Sequence, residues 1–141
     1  MIRVLATGTF DILHVGHIYY LKEARALGTE LFVILARDSM IQHKPKPIIS
    51  ENSRLLMINS LKVVKKAVLG SEVDIFEPLK EINPDIIALG YDQKFNVEQL
   101  DIDLKKKGFD IKIVRIGKSD MDYLCSSGKI VKKIIQRQDL E

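Results

Sequence analysis

Apolar and polar residues follow two rhythms along this chain. The run IRVLAT at 2–7 carries no charge after Arg3, and LFVILA at 31–36 carries none at all. Uninterrupted apolar runs of this length predict strands buried on both faces. KAVLG at 66–70 and DIIALG at 85–90 read the same way, and DIKIVRI at 110–116 alternates as an edge-like strand does. Between them the period changes. Ile18, Leu21, Ala24 and Leu27 recur at helical spacing, with Gly28 as a stop. Ser50 predicts an N-cap for a helix through ENSRLLMINSL. EPLKEIN predicts a short helix ended by Pro84, and NVEQLDIDLKKK a longer one before Gly108. SSGKIVKKIIQR puts Ile130, Val131, Ile134 and Ile135 on one face of a last helix. Residues 37–50 hold too much Pro and Lys for regular structure.

The resulting order, βαβ, loop, αβαβαβα, predicts an α/β fold. It is a Rossmann-like three-layer α/β/α sandwich on a five-stranded parallel sheet with right-handed crossovers. At 141 residues the chain forms one domain, 1–141, with a sizeable core. No apolar run reaches the ~18 residues of a membrane span. The first ten residues enter a strand pattern with no basic n-region or cleavage site, so no signal peptide is expected. The net charge of +3, from 22 basic and 19 acidic residues, suits an anionic ligand and is too small to point to nucleic acid. Cys125 is the only cysteine. It excludes an internal disulfide and fits a cytoplasmic protein.

The chemistry concentrates in GTFDILHVGH at 8–17, which holds His14 and His17. In a parallel sheet, ligands bind beyond the carboxyl ends of the strands, where strand order reverses. This loop follows the first strand. Gly8 and Gly16 allow close backbone approach, and the next helix aims its positive end at the same place. If that helix begins near Val15, the two imidazoles share a face and can donate to a phosphoryl group as charge builds on it. A helix cap plus a core histidine is the plainer alternative, and a structural zinc site another, with Asp11 the only acid nearby. GKS at 117–119 is not a P-loop, because Lys112 stands where the motif needs glycine. The dinucleotide fingerprint fails at Phe10.

Four blocks, GTFDILHVGH, the 37–61 region with its basic loop and early arginine, IIALGYDQ and CSSGKI, occur in that order. Together they resemble the HxGH cytidylyltransferase-like nucleotidylyltransferases, and most of all the archaeal FAD synthases within them. Glycerol-3-phosphate cytidylyltransferase has the same layout. The resemblance implies AMP transfer from ATP to FMN, with a divalent metal, Mg²⁺, carried on the nucleotide phosphates. It also implies a homodimer, with no nucleic-acid or membrane partner. By the same resemblance Thr9 and Phe10 contact the nucleotide through the loop backbone, with Val15 beside them. His14 and His17 bind the reacting phosphates, and Gly16 permits close approach. Lys44 and Lys46 close a basic loop over the leaving pyrophosphate. Gly90 and Asp92 meet ribose or base, and Ser126, Ser127 and Lys129 meet the β- and γ-phosphates. Transfer to a sugar or alcohol phosphate and a nucleotide-binding regulator without turnover are the rival readings.

Overall fold

The computed structural model describes residues 1–42, 45–74, 76–118 and 126–138. Five strands form one parallel sheet: β1 (Arg3–Gly8), β2 (Glu30–Leu35), β3 (Lys66–Leu69), β4 (Ile86–Leu89) and β5 (Lys112–Arg115). Their spatial order is β3-β2-β1-β4-β5. The chain therefore winds outward from β1 in one direction and then, from β4, in the other. The reversal falls between β1 and β4. Helices α1 (Val15–Ala26), α2 (Glu51–Asn59), α3 (Glu77–Ile82), α4 (Val97–Lys106) and α5 (Ser127–Arg137) complete the layers.

The expected burial of β1 on both faces is observed. Val4 and Ala6 face one core with Leu31, Val33 and Leu35, under Leu21 and Ala24 of α1 and Ile58 of α2. Leu5 faces the other, with Ile87 and Leu89, under Leu79 and Ile82 of α3 and Leu104 of α4. Alternate residues of one strand thus anchor two separate apolar layers, which is what an uncharged run in a parallel sheet requires. A side chain at Gly28 would come within 2.7 Å of the Ile2 carbonyl, so the turn from α1 into β2 is tight because glycine is there. Asn83, left-handed at φ 49°, closes α3 one residue before Pro84.

Two details differ from the pattern reading. Ser50 is the N-cap of α2 by backbone position, yet its hydroxyl contacts Ser53 Oγ rather than the helix. Asp38 takes the capping role instead, accepting the Glu51 N–H at 3.4 Å. It does so from a 3-10 turn (Asp38–Met40) inside the stretch expected to be irregular. The apolar stripe of α5 forms as expected, but no α5 residue is buried, and Ile134 and Ile135 are more than half exposed. Among the described residues no helix is long and apolar enough to cross a membrane.

Candidate active site

His14 is the N-cap of α1 and His17 stands three residues later. The helix begins early enough for the rings to stack, with centroids 3.7 Å apart and planes 24° from parallel. Backbone hydrogen bonds orient both rings. His14 Nδ1 accepts from the Gly16 N–H at 3.0 Å, and His17 Nδ1 accepts from the His14 N–H at 3.3 Å. An imidazole that accepts at Nδ1 carries its proton on Nε2. Each ring is therefore a neutral Nε2 donor. Burial lowers the pKa of His14. Burial, followed by repulsion from His14, lowers that of His17 to about 3, against a smaller opposing pull from Asp11. Two neutral donors side by side suit an anion. Both Nδ1 lone pairs are taken up by backbone N–H groups and are not offered to a metal.

Phe10 holds His17 from beneath. Its ring meets His17 edge-on at 5.2 Å and lies nearly parallel to Tyr20 at 6.3 Å. Phe10 adopts φ 54°, a conformation that costs a non-glycine residue of the order of 1 kcal/mol or more. That turn sends the ring into the core, where it is 5% exposed, and leaves the loop backbone outside. Gly8 makes room for it, because a Cβ there would lie 2.9 Å from the ring.

Arg54 is 0% exposed. Its guanidinium donates to the carbonyls of Thr9 (2.7 Å), Ala36 (2.9 Å) and Ile49 (3.0 Å) and pairs with Asp38 Oδ1 at 2.7 Å. The loops after β1 and β2 and the start of α2 thus share one buried cation. Asp11 reinforces the joint by accepting the N–H groups of Ile48 and Ile49 at 3.0 and 2.9 Å. Lys46 rests against the same turn, donating to the Asp38 carbonyl at 2.6 Å. Lys44 and Cys125 lie outside the described residues.

Across the strand reversal, Gly90 directly follows β4 and Asp92 is exposed on the same loop. Arg115 grips this loop from β5, donating to the carbonyls of Gly90, Gln93 and Phe95 at 2.9, 2.6 and 3.1 Å. Ser126 caps α5 by accepting the Lys129 N–H at 3.2 Å, with Ser127 as first residue of the helix. Thr9 lies on the β1–α1 connection, and Val15 and Gly16 are the first two residues of α1 between the histidines, Val15 being more than a third exposed. Arg54 was visible in the sequence only as an early helical arginine. Tyr20, Gln93 and Arg115 gave no signal, since their partners are distant backbone groups. Among the described residues no three His, Cys, Asp or Glu side chains are placed to hold a metal ion.

Oriented Nε2 donors beside a strand reversal are of a kind that suits a phosphoryl group. The chain belongs to the cytidylyltransferase-like family, whose model matches residues 5–134. It is 62% identical over 137 residues to the FAD synthase of Methanosarcina barkeri, covering 97% of this chain and 99% of the relative. It is 57% identical over 141 residues to the FAD synthase of Methanohalophilus mahii, covering 100% and 99%. Among solved structures, the lipopolysaccharide core biosynthesis protein of Thermoplasma volcanium superposes with a TM-score of 0.82 at 55% identity, over 85% of this chain and 99% of that one. TmcAL of Thermotoga maritima, solved with α-thio ATP, shares the fold alone at a TM-score of 0.64 and 13% identity, over 99% of this chain and 51% of that one.

Proposed function

We propose that this protein is an FMN adenylyltransferase that transfers AMP from ATP to the phosphate of FMN, giving FAD and pyrophosphate. The observation that carries this reading is the stacked pair His14–His17, each ring held as an Nε2 donor, in a chain 62% identical to an FAD synthase. An FMN phosphate oxygen attacks the α-phosphorus of ATP. One P–O bond forms, the bond to the β-phosphate oxygen breaks, and its electron pair leaves on pyrophosphate. The attacking phosphate is already ionised at neutral pH, so no strong base is needed, and catalysis consists of positioning and charge stabilisation.

His14 and His17 donate to the reacting phosphates. The backbone of Thr9, Phe10, Val15 and Gly16 lines the same subsite. Gly90 and Asp92 receive the nucleoside. Ser126, Ser127 and Lys129 at the start of α5, with Lys44 and Lys46 from the basic loop, receive the β- and γ-phosphates. Mg²⁺ travels on the triphosphate, since it takes few protein ligands and keeps several waters. The protein works in the cytoplasm as a homodimer, without nucleic acid or membrane. Sedimentation at micromolar concentration checks the dimer.

A second reading, nucleotidyl transfer to a sugar or alcohol phosphate, draws support from the name of the Thermoplasma volcanium protein. One assay separates the two. With Mg²⁺, FMN and ATP should yield FAD and pyrophosphate, whereas glycerol-3-phosphate and CTP should not. The opposite result favours the second reading, and no pyrophosphate from either pair favours a regulator without turnover.

A further inference from the structure

Strands β1 and β4 pair from Val4–Ile86 to Ala6–Ala88 and no further. Where two parallel strands diverge, their backbone donors and acceptors lose ladder partners and must find others. Two side chains supply them here. The Tyr20 hydroxyl accepts from the Thr7 N–H at 3.2 Å and donates to the Ala88 carbonyl at 2.6 Å. Gln93 Oε1 accepts from the Gly90 N–H at 2.7 Å, and its Nε2 donates to the Thr7 carbonyl at 2.9 Å. The floor of the crevice is therefore built of protein. Burial pushes the Tyr20 phenol well above its ordinary pKa, so it stays a protonated donor.

The two side chains differ in where they come from. Tyr20 belongs to α1, in the core layer. Gln93 belongs to the loop it fastens, and its amide reaches across the strand reversal to the residue just before Gly8. Arg115 fixes the far side of the same loop through three carbonyls. With its outer side anchored, the loop is tied to β1 through the Gln93 amide.

We propose that Gln93 is a positioning residue that sets the gap between the β1–α1 loop, with its phosphate-binding histidines, and the β4 loop, with Asp92. One ATP must touch both, its α-phosphate on the first loop and its nucleoside on the second. The inference rests on the ATP reading above. The span demands one acceptor and one donor at the end of a two-methylene arm, which glutamine provides. Glutamate keeps the length and the bond from Gly90 but turns an oxygen toward the Thr7 carbonyl. Methionine keeps the volume and neither bond.

The test compares Gln93→Glu and Gln93→Met with the parent protein. ATP affinity is measured by calorimetry without acceptor. FAD formation and inhibition by pyrophosphate are measured kinetically. Misplacing one of two linked contacts lowers kcat/KM for ATP by about 10- to 100-fold. The inhibition constant of pyrophosphate stays within about threefold, because on the same reading it fills only the β- and γ-phosphate positions and carries no nucleoside to reach the second loop. A kcat/KM for ATP within about twofold of the parent overturns the proposal, as do equal losses toward ATP and pyrophosphate. Should the methionine variant not fold, the glutamate variant carries the test. Failure of both to fold assigns Gln93 to the architecture alone and overturns its positioning role. Weakened ATP binding in a protein whose parent makes no FAD would sink the FMN reading and leave this one standing.

Discussion

At the scale of single residues, the histidine pair joins fold to chemistry. The caps that start α1 are the same hydrogen bonds that hold each proton on Nε2. On the proposed function, replacing either ring removes a donor that acts as charge develops, and such losses cost about 100- to 1000-fold in kcat. His14→Ala and His17→Ala should each show that drop in steady-state FAD synthesis while circular dichroism reports a folded protein. The lowered pKa values also predict an acid sensitivity. A histidine whose folded pKa lies below its unfolded value contributes stability fully present above about pH 6.5. That stability is lost as the pH falls toward about 3, because the unfolded chain takes up the proton first. For His17 the loss runs at about 1.4 kcal/mol per pH unit within that window. Urea unfolding of the parent and of His17→Asn, compared from pH 7 to pH 4, should show a shallower decline in the variant. Parallel curves would contradict the assignment.

At the scale of elements, the strands and helices were legible because their periods are strong and their breakers well placed. The HVGH spacing also announced its own geometry, since an N-cap and the residue three places on must meet. The joints between elements were not legible. Arg54 reaches the Thr9 carbonyl 45 residues away, Gln93 the Thr7 carbonyl 86 away, and Tyr20 the Ala88 carbonyl 68 away. A backbone carbonyl has no letter of its own, so nothing in the sequence marks it as a partner. Asp38 as the cap of α2 was hidden for a related reason, because Ser50 stood in the expected position. These joints make Arg54 the side chain whose loss should be felt most. Arg54→Met leaves three carbonyls and the Asp38 carboxylate without their cation. Leaving buried carbonyls without a donor costs about 1–3 kcal/mol, and the Asp38 carboxylate, 40% exposed, adds little because water takes the place of the cation. Chemical denaturation should register a loss of that size, with activity falling in the fraction that stays folded because the β1–α1 loop loses its anchor at Thr9.

At the scale of the molecule, the proposed function puts stability and triphosphate handling in different parts. Both apolar layers are filled from the sheet, the first four helices and the connections beside them. The last helix carries Ser126, Ser127 and Lys129 at its start yet contributes no buried side chain. Substitutions in the two places should therefore separate in their effects. Leu21 is fully buried, and Leu21→Ala should cost about 2–5 kcal/mol of unfolding free energy. Ile134 is 56% exposed, and Ile134→Ser should stay within about 0.5 kcal/mol of the parent monomer, as surface changes usually do. Ser126→Ala removes the cap that orders the first turn of α5, worth about 0.5–2 kcal/mol to that helix, and global unfolding should barely move because no described α5 residue is among the buried residues of either core. Its effect should fall on ATP instead, as a raised KM with little change in the affinity for AMP, which lacks the phosphates proposed to meet this helix start. Denaturation midpoints and ATP kinetics on the three variants decide the matter. A large loss of global stability in Ser126→Ala or Ile134→Ser would show that α5 belongs to the folding core, and an equal loss of ATP and AMP binding would remove Ser126 from the triphosphate end of the site.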